Sequence, residues 1–326
     1  MNFDKDKFLK TIDNSKYTVI VGLSKNAGKT SFLNWLLKQY QKERVGIFTT
    51  GREGEDSDLV FGHEKPKAFI PSESIFTSFA KQIDQNSPFL RVISKTDYKA
   101  GGKEIWLASN SIDFPAEIIG PSTVNNQIKL ADSMLDYGAE HVFIDGSLDR
   151  KTIALSTKIR DIIIVVSPLV GNEKAIFRKT YYYSKLAEIP IDKGKISSKN
   201  IIESIYSHET EISHRLKTTK SDYVLFKGAL SAISFDKLKP AFRKYSGKII
   251  FQHPLNLRLS ELDLNWLSRH TNLRVRHNFN ILAFVVNSFS SDGNHLDCEI
   301  LRSYLRAKIV KIPIIDIKEL EFQKKR

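Results

Sequence analysis

Hydrophobic residues along the chain fall into short clusters of two kinds, continuous β-branched runs and runs spaced three and four apart, and the two kinds alternate. Tyr17 to Val21 is a β-branched run closing on Gly22, the form of a strand buried on both faces of a parallel sheet. Thr30 to Lys42 follows, with Phe32, Leu33, Leu36, Leu37 and Tyr40 placed so that one face of a helix is apolar. Val45 to Thr49 supplies the next strand and completes a strand, helix, strand unit.

Beyond Gly51 the pattern predicts short strands at Lys67 to Ile70, Phe89 to Ile93 and Glu104 to Leu107, with a helix from Ile75 to Gln85. Ala116 to Ile119 reads as a strand, Ser122 to Tyr137 as a helix capped by Ser122, and His141 to Ile144 as a strand closing on Asp145. Asp161 to Val166 is another strand, and Asn172 to Leu186 a helix ended by Pro190. Strands then follow at Tyr223 to Phe226, Lys248 to Phe251, Ile281 to Val286 and Ile312 to Ile315. Helices are expected near Ile201 to Lys217, Phe235 to Tyr245, Leu259 to His270 and Cys298 to Lys308. Such alternation predicts an α/β fold with a doubly wound, mostly parallel sheet. Ile191 to Lys199, rich in lysine, serine and glycine, is the expected boundary between a domain of residues 1–190 and a part of residues 191–326 that extends the same sheet or forms a second one. No internal repeat stands out.

No apolar run approaches the roughly 18 residues of a spanning helix, and the longest, Ile162 to Val166 and Ile281 to Val286, have strand length. Met1 to Lys16 is charged and polar without the features of a secretory signal, so the expected location is the cytoplasm and no membrane association is expected. The single cysteine, Cys298, excludes an internal disulfide, and the eight histidines show no zinc-binding spacing. Any metal is therefore expected to be a hard cation on oxygen ligands. The net charge of +13 is concentrated late in the chain. Residues 190–326 carry about 24 basic and about 14 acidic groups, an excess that suits an acidic partner or a solvated lysine-rich surface.

The candidate chemistry lies in Gly22, Leu23, Ser24, Lys25, Asn26, Ala27, Gly28, Lys29, Thr30, between the first strand and its helix. Backbone N–H groups of such a loop, with the helix N-terminus, favour phosphate oxygens. Gly28 permits close approach, Lys29 reaches toward the β- and γ-phosphates, and the hydroxyl of Thr30 is placed to ligate Mg²⁺, with Ser31 in the same turn. Five residues rather than the usual four separate Gly22 from Gly28. Asp145, delivered by an apolar strand, is the second expected Mg²⁺ ligand. Glu55 and Asp56, after the second strand, are candidates to orient an attacking water and to hold the metal. Gly120, Pro121 and Ser122 open a helix N-terminus, and Asn287, after the strand ending at Val286, is a candidate to read the base. Ser94, Lys95, Thr96, Asp97 loosely resembles a guanine-reading motif, with the first residue different; ATP is the expected nucleotide and GTP the alternative.

The loop with five intervening residues resembles the variant of dethiobiotin synthetase and the cobyrinic acid amide synthases, within the P-loop class that includes metallochaperone GTPases. A narrower likeness rests on four segments in order. They are the loop itself, Thr50-Gly51-Arg52-Glu53-Gly54-Glu55-Asp56, Gly120-Pro121-Ser122 and Ile144-Asp145-Gly146-Ser147-Leu148-Asp149-Arg150-Lys151. Over about the first 170 residues these resemble the reactivase subunit encoded beside lysine 5,6-aminomutase. That resemblance implies a cytoplasmic, chaperone-like ATPase that works with a companion ATPase, in a homo- or hetero-oligomer, to restore an adenosylcobalamin-dependent aminomutase. It carries over Lys29, Thr30 and Asp145 as nucleotide and metal residues, and Glu55, Asp56 and Arg150 as site residues of that family. The expected function is therefore Mg²⁺-dependent nucleotide binding and hydrolysis driving a conformational switch. The rivals are an ATP-dependent ligase or kinase acting on a small carboxylate, and a nucleic-acid-binding module.

Overall fold

The structure, a computed structural model, describes residues 4–24, 27–50, 67–83, 87–146, 153, 156–287, 298–317 and 320. The chain divides into two compact units, one formed by residues 1–177 and 280–326 and the other by residues 178–279.

The first unit opens with a helix the hydrophobic pattern did not predict, α1 (Lys5–Asp13). The Asp4 carboxylate caps it by accepting from the Lys7 N–H, and Phe8 and Ile12, one turn apart, are its buried residues. Next come β1 (Tyr17–Gly22), α2 (Lys29–Gln39), β2 (Val45–Thr49), β3 (Ala68–Ile70), β4 (Ile75–Phe79), β5 (Leu90–Ala100), β6 (Lys103–Asn110) and β7 (Phe114–Ala116). They are followed by α3 (Val124–Asp136), β8 (His141–Asp145), β9 (Asp161–Val166) and α4 (Glu173–Ala187), within which the division between units falls. The helix expected from Ile75 to Gln85 is instead β4 and a short 3₁₀ turn, Ala80–Gln82. Ile75, Phe76 and Phe79 satisfy helical spacing, but β4 is buried almost throughout and pairs on both sides. The strand expected at Ala116 to Ile119 lies earlier, in β7, and α3 is capped by Thr123 rather than Ser122.

One nine-stranded sheet organises this unit, in the order β17-β16-β9-β1-β8-β2-β4-β6-β5, where β16 (Asn280–Val286) and β17 (Ile314–Asp316) flank α8 (Cys298–Lys308). Every pairing from β17 across to β4 is parallel, and β6 and β5 close the far edge as an antiparallel hairpin. Phe32, Leu33, Leu36 and Leu37 of α2 share a buried cluster with Ile20, Ile47, Phe143, Ile163 and Val165 of the sheet. Leu130, Ala131 and Met134 are buried on α3, which packs on β2 and β8. Burial of this kind contributes roughly 1.5–3 kcal/mol per large apolar side chain.

The second unit contains β10 (Ile201–Ile202), α5 (Glu209–Thr218), β11 (Tyr223–Phe226), β12 (Leu230–Ser231), α6 (Ala232–Lys244), β13 (Lys248–Phe251), β14 (Leu257–Arg258), α7 (Glu261–His270) and β15 (Asn272–Val275). Its main sheet runs β10-β11-β13-β15, all parallel and in chain order, so the strands begin about 24 residues apart and each pair is joined through one helix. This is a β-α repeat, which the sequence did not disclose. The segments between strand end and helix start differ in length, so no fixed period survives. Right-handed crossovers in one direction leave the helices on one face. There Phe226 stacks on Phe251 and meets Phe242 edge-on. Pro190 to Asp192 adds to the edge of β15 through Val275 N–H to Pro190 O (3.0 Å) and Asp192 N–H to Val275 O (2.8 Å), and Ser197 N–H reaches Tyr223 Oη at 2.7 Å. The expected boundary at Ile191 to Lys199 is thus bonded into this unit. The division falls at 177/178 and 279/280 rather than at 190: residues 178–279 carry a sheet of their own, while β16 and β17 extend the first sheet.

Candidate functional site

β1 delivers its C-terminal end between β8 and β9, with Ile20 opposite Asp145 on one side and Gly22 opposite Val165 on the other. The chain then enters the loop. Leu23 N–H continues the β9 ladder by donating to Val165 O at 3.0 Å, and the Ser24 and Ser167 hydroxyls lie 3.3 Å apart. Lys25 and Asn26 fall outside the described residues. The loop resumes at Ala27, which is fully buried, and Gly28, whose φ of 91° is the left-handed conformation that favours glycine. α2 begins at Lys29 with no side-chain cap, so its first N–H groups are not bonded to a capping side chain.

The loop closes on itself around Gly22. A Cβ there would lie 3.0 Å from Ser24 O, 3.1 Å from the Ala27 methyl and 3.3 Å from Lys29 Cγ, so the stem of Lys29 passes over the glycine. Gly28 is held from the opposite direction. The Asn287 amide Nδ2 donates to Ala27 O at 3.1 Å, its backbone N–H donates to Val166 O at 2.8 Å, and a Cβ on Gly28 would meet Nδ2 at 2.2 Å. Asn287 was expected to read a base. In the structure its buried side chain instead buttresses the loop across 260 residues of sequence, a role no local signal announces.

Asp145 ends β8 beside this loop. Its carbonyl accepts from Thr50 N–H at 2.8 Å and from the Thr49 hydroxyl at 3.0 Å, and Gly146 N–H donates to Ile20 O at 2.8 Å. These bonds fix the backbone that carries the carboxylate. Gly120 reaches the same edge, since a Cβ on it would lie 2.1 Å from Thr49 O. The Gln127 amide holds the following turn by donating to Pro121 O at 2.8 Å. The structure therefore gathers Gly22, Ser24, Ala27, Gly28, Lys29, Thr30, Asn287 and Asp145 at the C-terminal edge of one parallel sheet, where such folds bind ligands, with Ser31 exposed on the first turn of α2. Glu55, Asp56 and Arg150 lie outside the described residues. Ser94 to Asp97 belongs to β5, five strands from β1 and so about 24 Å away, which removes it from the site.

Among the described residues of this unit, Tyr17, Tyr40, Glu43 and Asp132 have shifted titrations and lie toward the N-terminal ends of the same strands, while Tyr98, raised by burial, lies on β5. Tyr40 donates to Asp13 Oδ1 at 2.7 Å, and burial followed by that carboxylate raises the phenol well above its usual range. Desolvation raises Glu43, whose Oε2 lies 3.4 Å from His141 Nε2, while His141 Nδ1 is 3.0 Å from Ser15 O. Asp132 is lowered, against its own burial, by Lys158 and by the Tyr17 hydroxyl at 2.5 Å. These contacts tie α1, α2 and α3 to strand starts and leave the C-terminal edge to the loop. Among the described residues no helix is long and apolar enough to cross a membrane. Comparisons with protein-family models, with curated proteins and with solved structures each returned no match to this chain.

Proposed function

We propose that the loop from Gly22 to Thr30 binds the phosphates of ATP, with GTP as the alternative, and that Thr30 and Asp145 hold the accompanying Mg²⁺. The observation that carries this reading is a glycine loop entering an uncapped helix at the C-terminal edge of a parallel sheet, next to a strand that ends in aspartate. The residues suit that ligand. Ser24 O, the Ala27 methyl and Lys29 Cγ close around Gly22, α2 offers its positive end, and the stem of Lys29 passes over that glycine. Bound Mg²⁺·nucleotide supplies a polarised phosphoryl group. Lys29 neutralises charge on it, Thr30 and Asp145 fix the metal, and Asn287 keeps Ala27 and Gly28 in the binding conformation.

The neighbouring acidic segment with Glu55 and Asp56 is proposed to orient water and to pass the nucleotide state to a partner. Its likeness to the reactivase family supports an adenosylcobalamin-dependent aminomutase in that place. Titration calorimetry with ATP and GTP tests the core of the reading. Lys29→Ala is expected to weaken binding by about a hundredfold. Unchanged affinity removes the phosphate role. Phosphate release stimulated by an inactivated aminomutase supports the switch, whereas release dependent on a small carboxylate supports a ligase or kinase.

A further inference from the structure

The repeat of the second unit sets the C-terminal turns of α5, α6 and α7 side by side along one edge, next to the starts of β11, β13 and β15. Each of those turns is basic, with Arg215 and Lys217, then Arg243 and Lys244, then Arg269 and His270. Lys220 precedes β11, and Arg274 lies on β15. Within 215–222, 243–248 and 269–274, Asp222 is the sole acidic residue. Lys217, Lys220, Arg243, Lys244 and Arg269 are exposed and make no ion pair among the described residues, whereas Lys185, Lys227, Lys237 and Lys248 of the same unit are each paired.

A cation in a last helical turn is stabilised by the helix dipole, which accounts for one per helix. Further like charges beside it repel one another, and neighbouring helices bring the groups to about 10 Å spacing. A row of uncompensated cations at that interval is complementary to a chain of phosphates.

A second observation separates a nucleic acid from an acidic peptide. At the end of α7 the exposed His270 ring lies flat on Trp266, with centroids 4.4 Å apart and planes 11° from parallel, and its Nδ1 sits 2.9 Å from Trp266 O. Lys239 Nζ is 4.9 Å from the centre of the same indole. Between the starts of β11 and β13 the edge is hollowed by a polar depression of about 250 Å³, whose lining includes Lys220, Ser221, Tyr245 and Lys248 and one carboxylate, Asp222. An oriented, exposed ring beside a cation row offers a face for base stacking, which a polyglutamate chain cannot use.

We propose that this edge binds single-stranded nucleic acid, with phosphates along Lys217, Arg243, Lys244 and Arg269 and a base stacked on His270. All of these residues belong to the second unit, and the nucleotide loop belongs to the first. Fluorescence anisotropy of the full chain with a labelled oligo-dT of about 20 nucleotides, over rising salt, tests it. Binding is expected to fall linearly on logarithmic axes. Replacing Lys217→Gln, Arg243→Gln and Arg269→Gln together should weaken it at least tenfold and reduce the slope by about 2. His270→Ala should weaken it about fivefold or more with the slope unchanged. Lys29→Ala should bind as the wild type does. Near-ultraviolet circular dichroism checks that the exposed substitutions leave the fold intact. No binding at low salt, wild-type binding by the triple variant, equal affinity for duplex DNA, or displacement by polyglutamate or anionic vesicles at equal charge would overturn the proposal.

Discussion

In the first unit β1 lies between β8 and β9, neither of which is its neighbour in sequence, whereas in the second unit each strand of the main sheet pairs with the strand reached through the next helix. The difference decides where each unit can hold a ligand. A sheet whose connections leave β1 in opposite directions opens a crevice at the strand ends, and the glycine loop sits there. A sheet wound in one direction has no such reversal, and its chemistry is displayed as rows along edges. The first unit therefore builds one site from distant segments, and the second repeats one feature at intervals.

The largest test of that contrast is Phe226→Ala, which removes a ring stacked on Phe251 and should cost about 3–5 kcal/mol. Differential scanning calorimetry is expected to show an earlier transition for the second unit with the first unit's transition retained. A single coincident shift would show that the two units unfold as one. Gly28→Ala should cost about 3 kcal/mol, from the left-handed backbone and the contact with Asn287. Adding Asn287→Ala should recover the part due to contact and leave the part due to φ. Full additivity in urea unfolding would separate Asn287 from the loop.

Asp192→Asn addresses the second unit, where the buried carboxylate accepts from Lys248 Nζ (2.9 Å) and Gly194 N–H (2.9 Å). Its pKa is lowered by Lys248 first, with Gly194 and Arg276 adding to the effect against burial. A depressed carboxylate stabilises the fold fully above its ordinary value of 3.8 and loses that contribution as pH falls through its lower folded value. The substitution should cost about 2 kcal/mol near neutral pH, with the gap to wild type narrowing in melts below about pH 4. A gap independent of pH would assign the effect to packing. Tyr40→Phe is the smallest, at about 1 kcal/mol, because it removes one hydrogen bond to Asp13 within the first unit. An effect on the second unit's transition would again deny their separation.

Much of the candidate site was legible because its signals are local. The run before Gly22, the helical spacing after Thr30 and the strand ending at Asp145 each lie within a few residues of sequence, and all three elements stand where expected. α1 was missed although Phe8, Leu9 and Ile12 stand at helical spacing, because the charged residues around them were read as a polar terminus, and β4 was misread because Ile75, Phe76 and Phe79 fit a helix as well as a strand. The repeat had a faint signature in Leu230-Ser231 and Leu259-Ser260, each ending in the serine that caps the next helix. Asn287 had no signature, since its partner is 260 residues away.

Local signals in the sequence were enough to place the first buried strand, the glycine loop, the helix after it and the strand ending at Asp145, because backbone preference and the spacing of apolar side chains act over single elements; they were not enough for α1, for β4, or for Ile201 to Lys217, where β10 precedes a helix that starts only at Glu209. Long-range packing alone fixes that β16 pairs with β9 although residues 178–279 separate them in sequence, that the basic turns of three helices line one edge, and that Asn287 holds the loop. Pairing between distant strands depends on loop closure and on the complementarity of whole faces, and neither quantity is written in any single stretch of residues.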